Sequence, residues 1–307
     1  MKRIVYFLLL GLLALSAVHS CEEWTEVKPV ETKILQPWER DASLWEAYLS
    51  SLKQFKSRTH FLSYVRFGSG MAEAGSERDY LRCLPDSLDY VSLTNGDHFS
   101  SSDAEDLSLL HAKGIKVLYQ VNFAGRLDEF PDASALGAYL DKVIAATGSL
   151  GLDGYSFTGA YKMGDPGSAE AAALLVKKLS EAKSEGQMLA FEGNPLFIPE
   201  DDREKVDLFI LNTEETDCVS ALLRQVQEAV DFVGIPPAKI LLAARADASL
   251  FDEERREHPA VDEMAGRVFS FGPLVGLAVY NVDTDYYHAE GNYTGTRAAI
   301  QKLNPSK

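Results

Sequence analysis

Polar and aromatic residues follow several predicted strands of this chain, and their types suit the binding of a sugar. Aromatic rings can cover the apolar C–H face of a pyranose, while amides and carboxylates can bond its hydroxyl and acetamido groups in a concave site. The residues that we predict to contact a glycan are Gln120, Asn122, Tyr161, Glu192, Asn212, Tyr280, Asn281, Asp283 and Tyr286. The wider set at the strand ends adds Phe67, Asn95, Asp97, Thr158, Asn194, Glu214, Arg245 and Asp247.

Alternating strand and helix signals should bring these residues to one end of a barrel. Short buried-type apolar runs predict eight strands, over 60–67, 90–94, 116–122, 151–160, 188–192, 208–212, 240–245 and 276–281. Amphipathic runs predict helices over 41–53, 102–113, 133–147, 168–185, 216–233 and 296–303. This alternation favours an α/β fold, a (β/α)8 TIM barrel, whose chemistry lies at the C-terminal ends of the strands. A doubly wound open sheet is the alternative fold, although no Gly-rich phosphate loop follows any strand.

The fourth predicted strand carries a recognisable motif from which the acids are missing. Asp153 and Gly154 match the opening of Asp-Gly-x-Asp-x-Asp-x-Glu, the signature of the family-18 glycoside hydrolases, which this stretch resembles. The next two acidic positions hold Ser156 and Thr158, and the catalytic Glu position holds Ala160.

Two other regions add to the resemblance. The eighth strand, 276–283, is similar to the last strand of bacterial endo-β-N-acetylglucosaminidases, and 58–94 with 115–125 suit the first three strands of the same family. The family resemblance implies the chitinase and endo-β-N-acetylglucosaminidase barrel and a ligand that contains N-acetylglucosamine.

The resemblance also implies what the missing acids would have done. Family-18 enzymes cleave by substrate assistance: the Glu protonates the leaving oxygen, and the Asp two residues earlier steadies the attacking N-acetyl group. Ala160 has no proton to give, and the pKa of the Thr158 hydroxyl is far outside the range of a general acid or base. We therefore predict no catalytic residue at the degenerate motif positions and a barrel that holds the glycan without cutting it.

Two other functions remain open at this stage. An active endo-acting glycoside hydrolase could use displaced carboxylates, Glu192, Asp247 and Asp283, because a barrel can supply acids from several strands. A scaffold subunit would contact a glycan transporter or an enzyme partner and bind no sugar.

The first residues have the pattern of a secretory signal. Lys2 and Arg3 precede an uncharged apolar run, 4–18, that is shorter than the ~20 residues of a membrane span. Cys21 follows the run as in the bacterial lipobox, which it resembles, and this implies acylation of Cys21 and a membrane anchor.

The acidic pair Glu22 and Glu23 resembles the surface-export signal of glycan-foraging Gram-negative bacteria, so we expect an outer-membrane or cell-surface lipoprotein. The predicted organisation is a signal peptide over 1–20, a tether over 21–36 and a single barrel domain over 37–307.

Composition limits the remaining classes. The net charge of −16 argues against a nucleic-acid partner, which needs clustered Lys and Arg. We place Cys83 on a helix after the first strand and Cys218 at the start of the helix after the sixth. Because strands one and six are not barrel neighbours, we expect the two to be buried thiols. The six histidines show no His-x-x-x-His spacing and no Cys-x-x-Cys is present, so neither a metal nor a cofactor is predicted.

Overall fold

The computed structural model describes residues 37–68, 75–162 and 164–305. The predicted signal peptide and tether, with the proposed anchor at Cys21, lie outside the described residues. Ala47–Lys307 is one compact unit, and it contains the whole barrel. Among the described residues, no helix has the length and apolarity needed to cross a membrane.

Eight parallel strands close into a barrel, which confirms the predicted (β/α)8 architecture. The strand order around the barrel is β1-β10-β7-β6-β5-β4-β3-β2, so neighbours in sequence pair throughout and the last barrel strand closes onto the first. A small antiparallel hairpin, β8 with β9, follows the seventh barrel strand. The strands are β1 Leu62–Phe67, β2 Tyr90–Leu93, β3 Lys116–Val121, β4 Gly154–Gly159, β5 Met188–Gly193, β6 Leu208–Leu211, β7 Ile240–Arg245, β8 Ser249–Phe251, β9 Glu257–Pro259 and β10 Gly276–Tyr280.

Helices that follow the barrel strands cover the outside of the sheet, and after β1 the helical segments differ from the sequence prediction in three places. Two 3-10 turns, Glu77–Asp79 and Leu81–Cys83, stand where a helix after β1 was expected. The helix predicted over 216–233 begins at Val219 and gives way to a π-helical turn, Glu228–Phe232. The last α-helix before β10 was not predicted. The α-helices are α1 Pro37–Arg40, α2 Ala42–Lys56, α3 Ser101–Ala112, α4 Ala133–Leu150, α5 Pro166–Ala182, α6 Val219–Gln227, α7 Ala260–Ser270 and α8 Thr294–Leu303.

Alternation along each strand divides the core into two layers. In β1, Tyr64 points into the barrel with Leu118, Ala190 and Tyr280, while Val65 packs outward against the helices. Because both faces of a parallel sheet are covered, the strands read as continuous apolar runs, and this is why their positions could be predicted. Cys83 and Cys218 are free thiols, as predicted, but each is only half-buried, so the prediction that they are buried is wrong.

Local signals fix the entry to β4. Asp132 caps the start of α4 by accepting from the backbone N–H of Ala135 at 2.8 Å, and Gly151 ends the helix in the left-handed conformation at φ 71°. The motif glycine, Gly154, has φ 132°, and a Cβ there would lie 2.1 Å from the carbonyl oxygen of Met188. Only glycine therefore allows β4 to pair this closely with β5.

Candidate functional site

The barrel interior is organised around the buried carboxylate of Glu192 on β5. Five side chains from four other strands donate hydrogen bonds to it, and the four bonds from Tyr64, Ser92, Gln120 and Tyr280 measure 2.8 to 3.0 Å. The fifth donor is the Nε of Arg66 on β1, which also forms an ion pair with Glu192. Both carboxylate oxygens of Glu192 are therefore occupied by donors from within the protein.

This environment keeps Glu192 ionised. Burial opposes the charge, but the Arg66 cation and the hydrogen bonds from Gln120, Arg66 and Tyr64 outweigh it and hold the pKa of Glu192 below its usual value. A carboxyl with a lowered pKa is a poor proton donor near neutral pH. Glu192 lines the amide cavity with no exposed side-chain surface, and its role as a ligand contact or as the displaced acid stays a prediction.

The degenerate motif residues occupy both ends and the middle of β4. Asp153, before the strand, accepts hydrogen bonds from His111 Nε2 and the Val117 N–H, each at 2.8 Å, and so ties α3 and β3 to β4 at the end away from the site. Ser156 faces the barrel interior, where its hydroxyl bonds Ser92 at 2.8 Å. It therefore belongs to the Glu192 network.

Thr158 and Ala160 reach the barrel mouth. The Thr158 hydroxyl donates to Asn122 Oδ1 at 3.1 Å and accepts from the Ala124 N–H at 3.0 Å, so its one donor hydrogen is used within the protein. Ala160 follows the end of β4 and is partly exposed. No acid stands at either position.

Two cavities open at the C-terminal ends of the strands. The amide cavity, about 480 Å³, lies over β3 to β6, and the acidic cavity, about 500 Å³, lies over the ends of β1, β7 and β10. Arg66 and Glu214 line both of them. The amide cavity is lined by Asn122, Thr158, Ala160, Tyr161, Glu192, Asn194 and Asn212, and the acidic cavity by Thr94, Glu215, Arg245, Tyr280, Asn281 and Asp283.

Three asparagines give the amide cavity its character. The Oδ1 of Asn122 accepts from the Gly125 N–H and from Thr158, and the Oδ1 of Asn194 accepts from the Leu196 N–H. Within the described residues, the Nδ2 groups of Asn122, Asn194 and Asn212 have no acceptor, so they are the donors that a ligand would meet. Tyr161 lines the same cavity and is 39% exposed, which leaves its ring open to a ligand.

Arg245 forms ion pairs with Asp247 and Glu215 beside the acidic cavity, and these pairings were not predicted from the sequence. Arg245 donates to Asp247 at 2.8 Å and to Glu215 at 3.0 Å, and Asn281 donates to Asp247 at 3.1 Å. The bond from Arg245 and that from Asn281 lower the pKa of Asp247 to about 2. Asp247 is therefore ionised at neutral pH, and Asp283 lies exposed on the same cavity wall.

Glu214 differs from these carboxylates. Its Oε2 is buried and has no hydrogen-bond partner within the described part of the chain. Burial, together with the nearby charges of Glu192 and Glu215, raises the pKa of Glu214 against the opposing effect of Arg66. The surroundings of Glu214 therefore favour its protonated form more than water does, which is a feature of carboxyls at functional sites.

Three predicted contact residues besides Glu192 have little exposed surface. Gln120 is 5% exposed, and its Nε2 group donates a hydrogen bond to Glu192. Tyr280 is 4% exposed, and the Arg66 guanidinium covers its ring at 3.6 Å. Tyr286 is 2% exposed, donates to Glu77 at 2.8 Å and packs edge-on against Tyr293, because a 3-10 turn carries the chain away from the mouth after Asn281. Tyr286 lines neither mouth cavity, whereas Tyr280 lines the acidic cavity with one face of its ring covered by Arg66.

Seven of the nine predicted contact residues line the mouth cavities: Asn122, Tyr161, Glu192 and Asn212 the amide cavity, and Tyr280, Asn281 and Asp283 the acidic one. Sequence reasoning missed Arg66 altogether. Its signal was a lone charged residue in an apolar strand, two positions after Tyr64 and therefore on the same inward face.

Comparison with known proteins identifies the relatives of this barrel. Residues 25–133 match the family described as glycoside hydrolase family 18, BT1044-like. A selenomethionine form of BT1044 with a Glu-to-Gln substitution has a TM-score of 0.70 and 17% identity, over 88% of this chain and 96% of that one. A comparison with curated proteins finds no match.

Two further solved structures share the fold. A double variant of the endo-beta-N-acetylglucosaminidase from Cordyceps militaris, in complex with fucosyl-N-acetylglucosamine-Asn, has a TM-score of 0.61 and 18% identity over 84% of this chain and 95% of that one. A chitinase from Bacteroides thetaiotaomicron has a TM-score of 0.56 and 11% identity over 80% of this chain and 97% of that one.

Proposed function

We propose that this family-18 glycoside hydrolase-like barrel binds N-acetylglucosamine-containing glycans in its mouth and does not cleave them by the mechanism of the family. The observation that carries the proposal is the amide cavity: Ala160 stands at the position of the catalytic Glu, while the amides of Asn122, Asn194 and Asn212 line the surface around it.

The donor set supports an acetamido sugar. Primary amide N–H groups donate well to carbonyl and hydroxyl oxygens, and an N-acetyl group presents a carbonyl with no net charge. The relative from Cordyceps militaris was solved with fucosyl-N-acetylglucosamine-Asn bound, which is a ligand of this class. Tyr161 supplies an exposed ring beside the amides for the apolar face of the sugar.

The absence of hydrolysis is supported by the state of the mouth groups. Thr158 already donates its one hydroxyl hydrogen to Asn122, so it has no hydrogen to donate to a substrate acetamido group. Glu192 is enclosed, and Asp247 is held ionised by Arg245. General acid–base help supplies about 10²–10⁴-fold in typical enzymes, so its loss removes most turnover.

A glycan array followed by titration calorimetry tests the binding function. We expect selective binding of glycans that contain N-acetylglucosamine, and weaker binding by Asn212→Ala, with Asn292→Ala as an exposed asparagine control that lines neither mouth cavity. Binding of none of these glycans by the parent protein would reject the proposal and favour the scaffold function.

Glycoside hydrolysis through Glu214 is the second candidate function. Its raised pKa and unpartnered Oε2 at the wall shared by both mouth cavities are the features of a carboxyl that could donate a proton. Product analysis with the parent and with Glu214→Gln tests it: turnover that disappears in the variant would establish this function in place of simple binding.

We also propose that the protein is a lipoprotein anchored at the cell surface through acylated Cys21. The support is the pattern of the first residues, an apolar run that ends at Cys21. A single acyl chain binds a membrane marginally, whereas several chains hold firmly. Intact-mass measurement of the native protein should show an acylated N-terminus at Cys21, and Cys21→Ala should release the protein or stall its processing; an unmodified Cys21 would reject the anchor.

A further inference from the structure

A third cavity, which we call the apolar cavity, adjoins the amide cavity on the outer side of β4. It measures about 410 Å³ and lies between the starts of α4 and α5. Ala160 lines both this cavity and the amide cavity, so the two meet at the residue that replaces the catalytic Glu. The volume lies within the ~300–1,000 Å³ range of small-molecule sites.

An aromatic pair forms one wall of the apolar cavity. The rings of Phe123 and Phe130 lie nearly parallel, at 18°, with their centroids 5.9 Å apart, and Leu127 extends the surface. Leu127 is 36% exposed and Phe130 is partly exposed, so apolar surface is open to the cavity. Flat apolar walls of this kind suit the C–H faces of a sugar ring.

Arg126 fixes this wall in place. It donates to Asp97 at 2.8 Å and to Glu129 at 2.7 Å, and its guanidinium lies 4.7 Å from the Tyr139 ring centroid and 5.8 Å from that of Phe130. Tyr119 donates to the same Asp97 at 2.6 Å. Arg126 therefore ties the loop after β3 to Asp97, in the turn that follows β2, and to Tyr139 on α4 before any ligand arrives, which reduces the entropic cost of binding.

Polar groups lie around the opening of the cavity. Asp132 and Asp165 are occupied as helix caps, with bonds to the N–H groups of Ala135 and Gly167. Lys162 and Glu170 also line the cavity and can reach hydroxyl groups. An apolar floor with a polar rim is the arrangement of a sugar subsite rather than of a lipid pocket.

We propose that the apolar cavity is a second sugar subsite, which binds the unit next to the N-acetylglucosamine held in the amide cavity. A second sugar unit is the occupant because the two cavities meet at Ala160, so that an oligosaccharide bound in the amide cavity can extend into the apolar cavity. This inference rests on the proposed function and adds a chain-length preference: the protein selects oligosaccharides over disaccharides.

Calorimetry with short and long probes tests the subsite. The probes are N,N′-diacetylchitobiose, chitotetraose and the core pentasaccharide of N-glycans, titrated into the full protein. We expect at least one longer probe to bind about 10-fold more tightly than the disaccharide. Phe130→Ala should lower the affinity for that longer probe about 5- to 10-fold, as expected for a lost aromatic contact, and leave disaccharide binding unchanged.

Leu127→Ala provides a milder variant in case the loss of Phe130 disturbs folding, and we expect the same selective loss at about 2- to 3-fold. Leu223→Ala is the matched control, because Leu223 is 37% exposed on α6. Equal binding of short and long probes by the parent, or equal losses for both in the variants, would overturn the subsite while leaving the proposed function intact. Failure of the parent to bind any probe would reject the proposed function and this inference together.

Discussion

The guanidinium of Arg66 lies 3.6 Å from the centre of the Tyr280 ring, and this contact decides what the barrel mouth can offer to a ligand. One face of the ring is covered, and the Tyr280 hydroxyl donates to Glu192 at 3.0 Å. Tyr280, which was predicted from the sequence to stack on a sugar, is thus part of an internal network around Glu192. At the mouth, Tyr161 presents an exposed ring instead.

The first prediction concerns Glu192. Glu192→Gln leaves the Arg66 cation without its buried partner, and breaking such a pair typically costs about 3–5 kcal/mol of unfolding free energy. Urea denaturation should show this loss. Asp247→Asn removes one partner of an exposed pair with Arg245 and should cost about 0–1 kcal/mol, which makes it the control. A variant that is as stable as the parent and has lost ligand binding would contradict a structural role for Glu192.

The second prediction concerns the exposed ring. Tyr161→Ala should weaken glycan binding about 5- to 150-fold, the equivalent of about 1–3 kcal/mol for a lost contact residue. Titration calorimetry measures the change, and Tyr287→Ala, which removes a tyrosine that is 64% exposed and lines neither mouth cavity, serves as the control. If Tyr280→Ala weakens binding and Tyr161→Ala does not, the ligand lies over the acidic cavity instead.

The third prediction follows from the raised pKa of Glu214. An acid whose folded pKa lies above its unfolded value binds protons more strongly in the folded state, so it stabilises the fold least when the pH exceeds that folded pKa. The groups that face it are Arg66, Glu192 and Glu215. Glu214→Gln cannot ionise, and its Tm relative to the parent should rise as the pH increases from 4 to 8. A Tm difference that stays constant over this range would contradict the raised pKa.

The fourth prediction concerns a histidine at the opposite end of the barrel. His60 Nε2 bonds Asp89 at 2.9 Å and its Nδ1 bonds the Arg58 carbonyl at 2.7 Å; both nitrogens can donate only in the imidazolium form. The bond to Asp89 raises the pKa of His60. Its stabilisation is complete below the unfolded pKa of about 6.5 and is lost as the pH rises through the folded pKa.

We therefore expect His60→Gln to lower Tm more at pH 5.5 than at pH 9. His98→Gln, at an exposed histidine, is the control. A penalty that is larger at pH 9 would show that the neutral imidazole is the stabilising form.

The barrel could be predicted from the sequence because both faces of each strand are buried. The apolar runs gave β7 its observed bounds, Ile240–Arg245, and placed the other barrel strands within a few residues. Helix α7 was not predicted because the segment before it, which contains the hairpin β8–β9, consists of short charged stretches. These stretches interrupt the alternation of strand and helix signals.

The site was predicted less well, for physical reasons that individual residues show. The donor Tyr64 and the acceptor Glu192 are 128 positions apart, and their pairing depends on which strand faces point inward at the same level of the barrel. Tyr286 was misplaced because Asn281 adopts a left-handed conformation at φ 52°, and the turn that follows leads the chain into a separate aromatic cluster. The placement of Asn122 and Asn212 was easier to predict, because each residue comes directly after a barrel strand and so lies at the mouth.

The central claim is that the mouth holds a glycan without cutting it, and one measurement tests both parts. The protein is incubated with the N-glycan core pentasaccharide and with chitotetraose, and the bound and total glycans are analysed by mass spectrometry after prolonged incubation. The account predicts that at least one of these glycans is retained by the protein and recovered intact. Shorter products that accumulate with time, above a sample without protein, would contradict it.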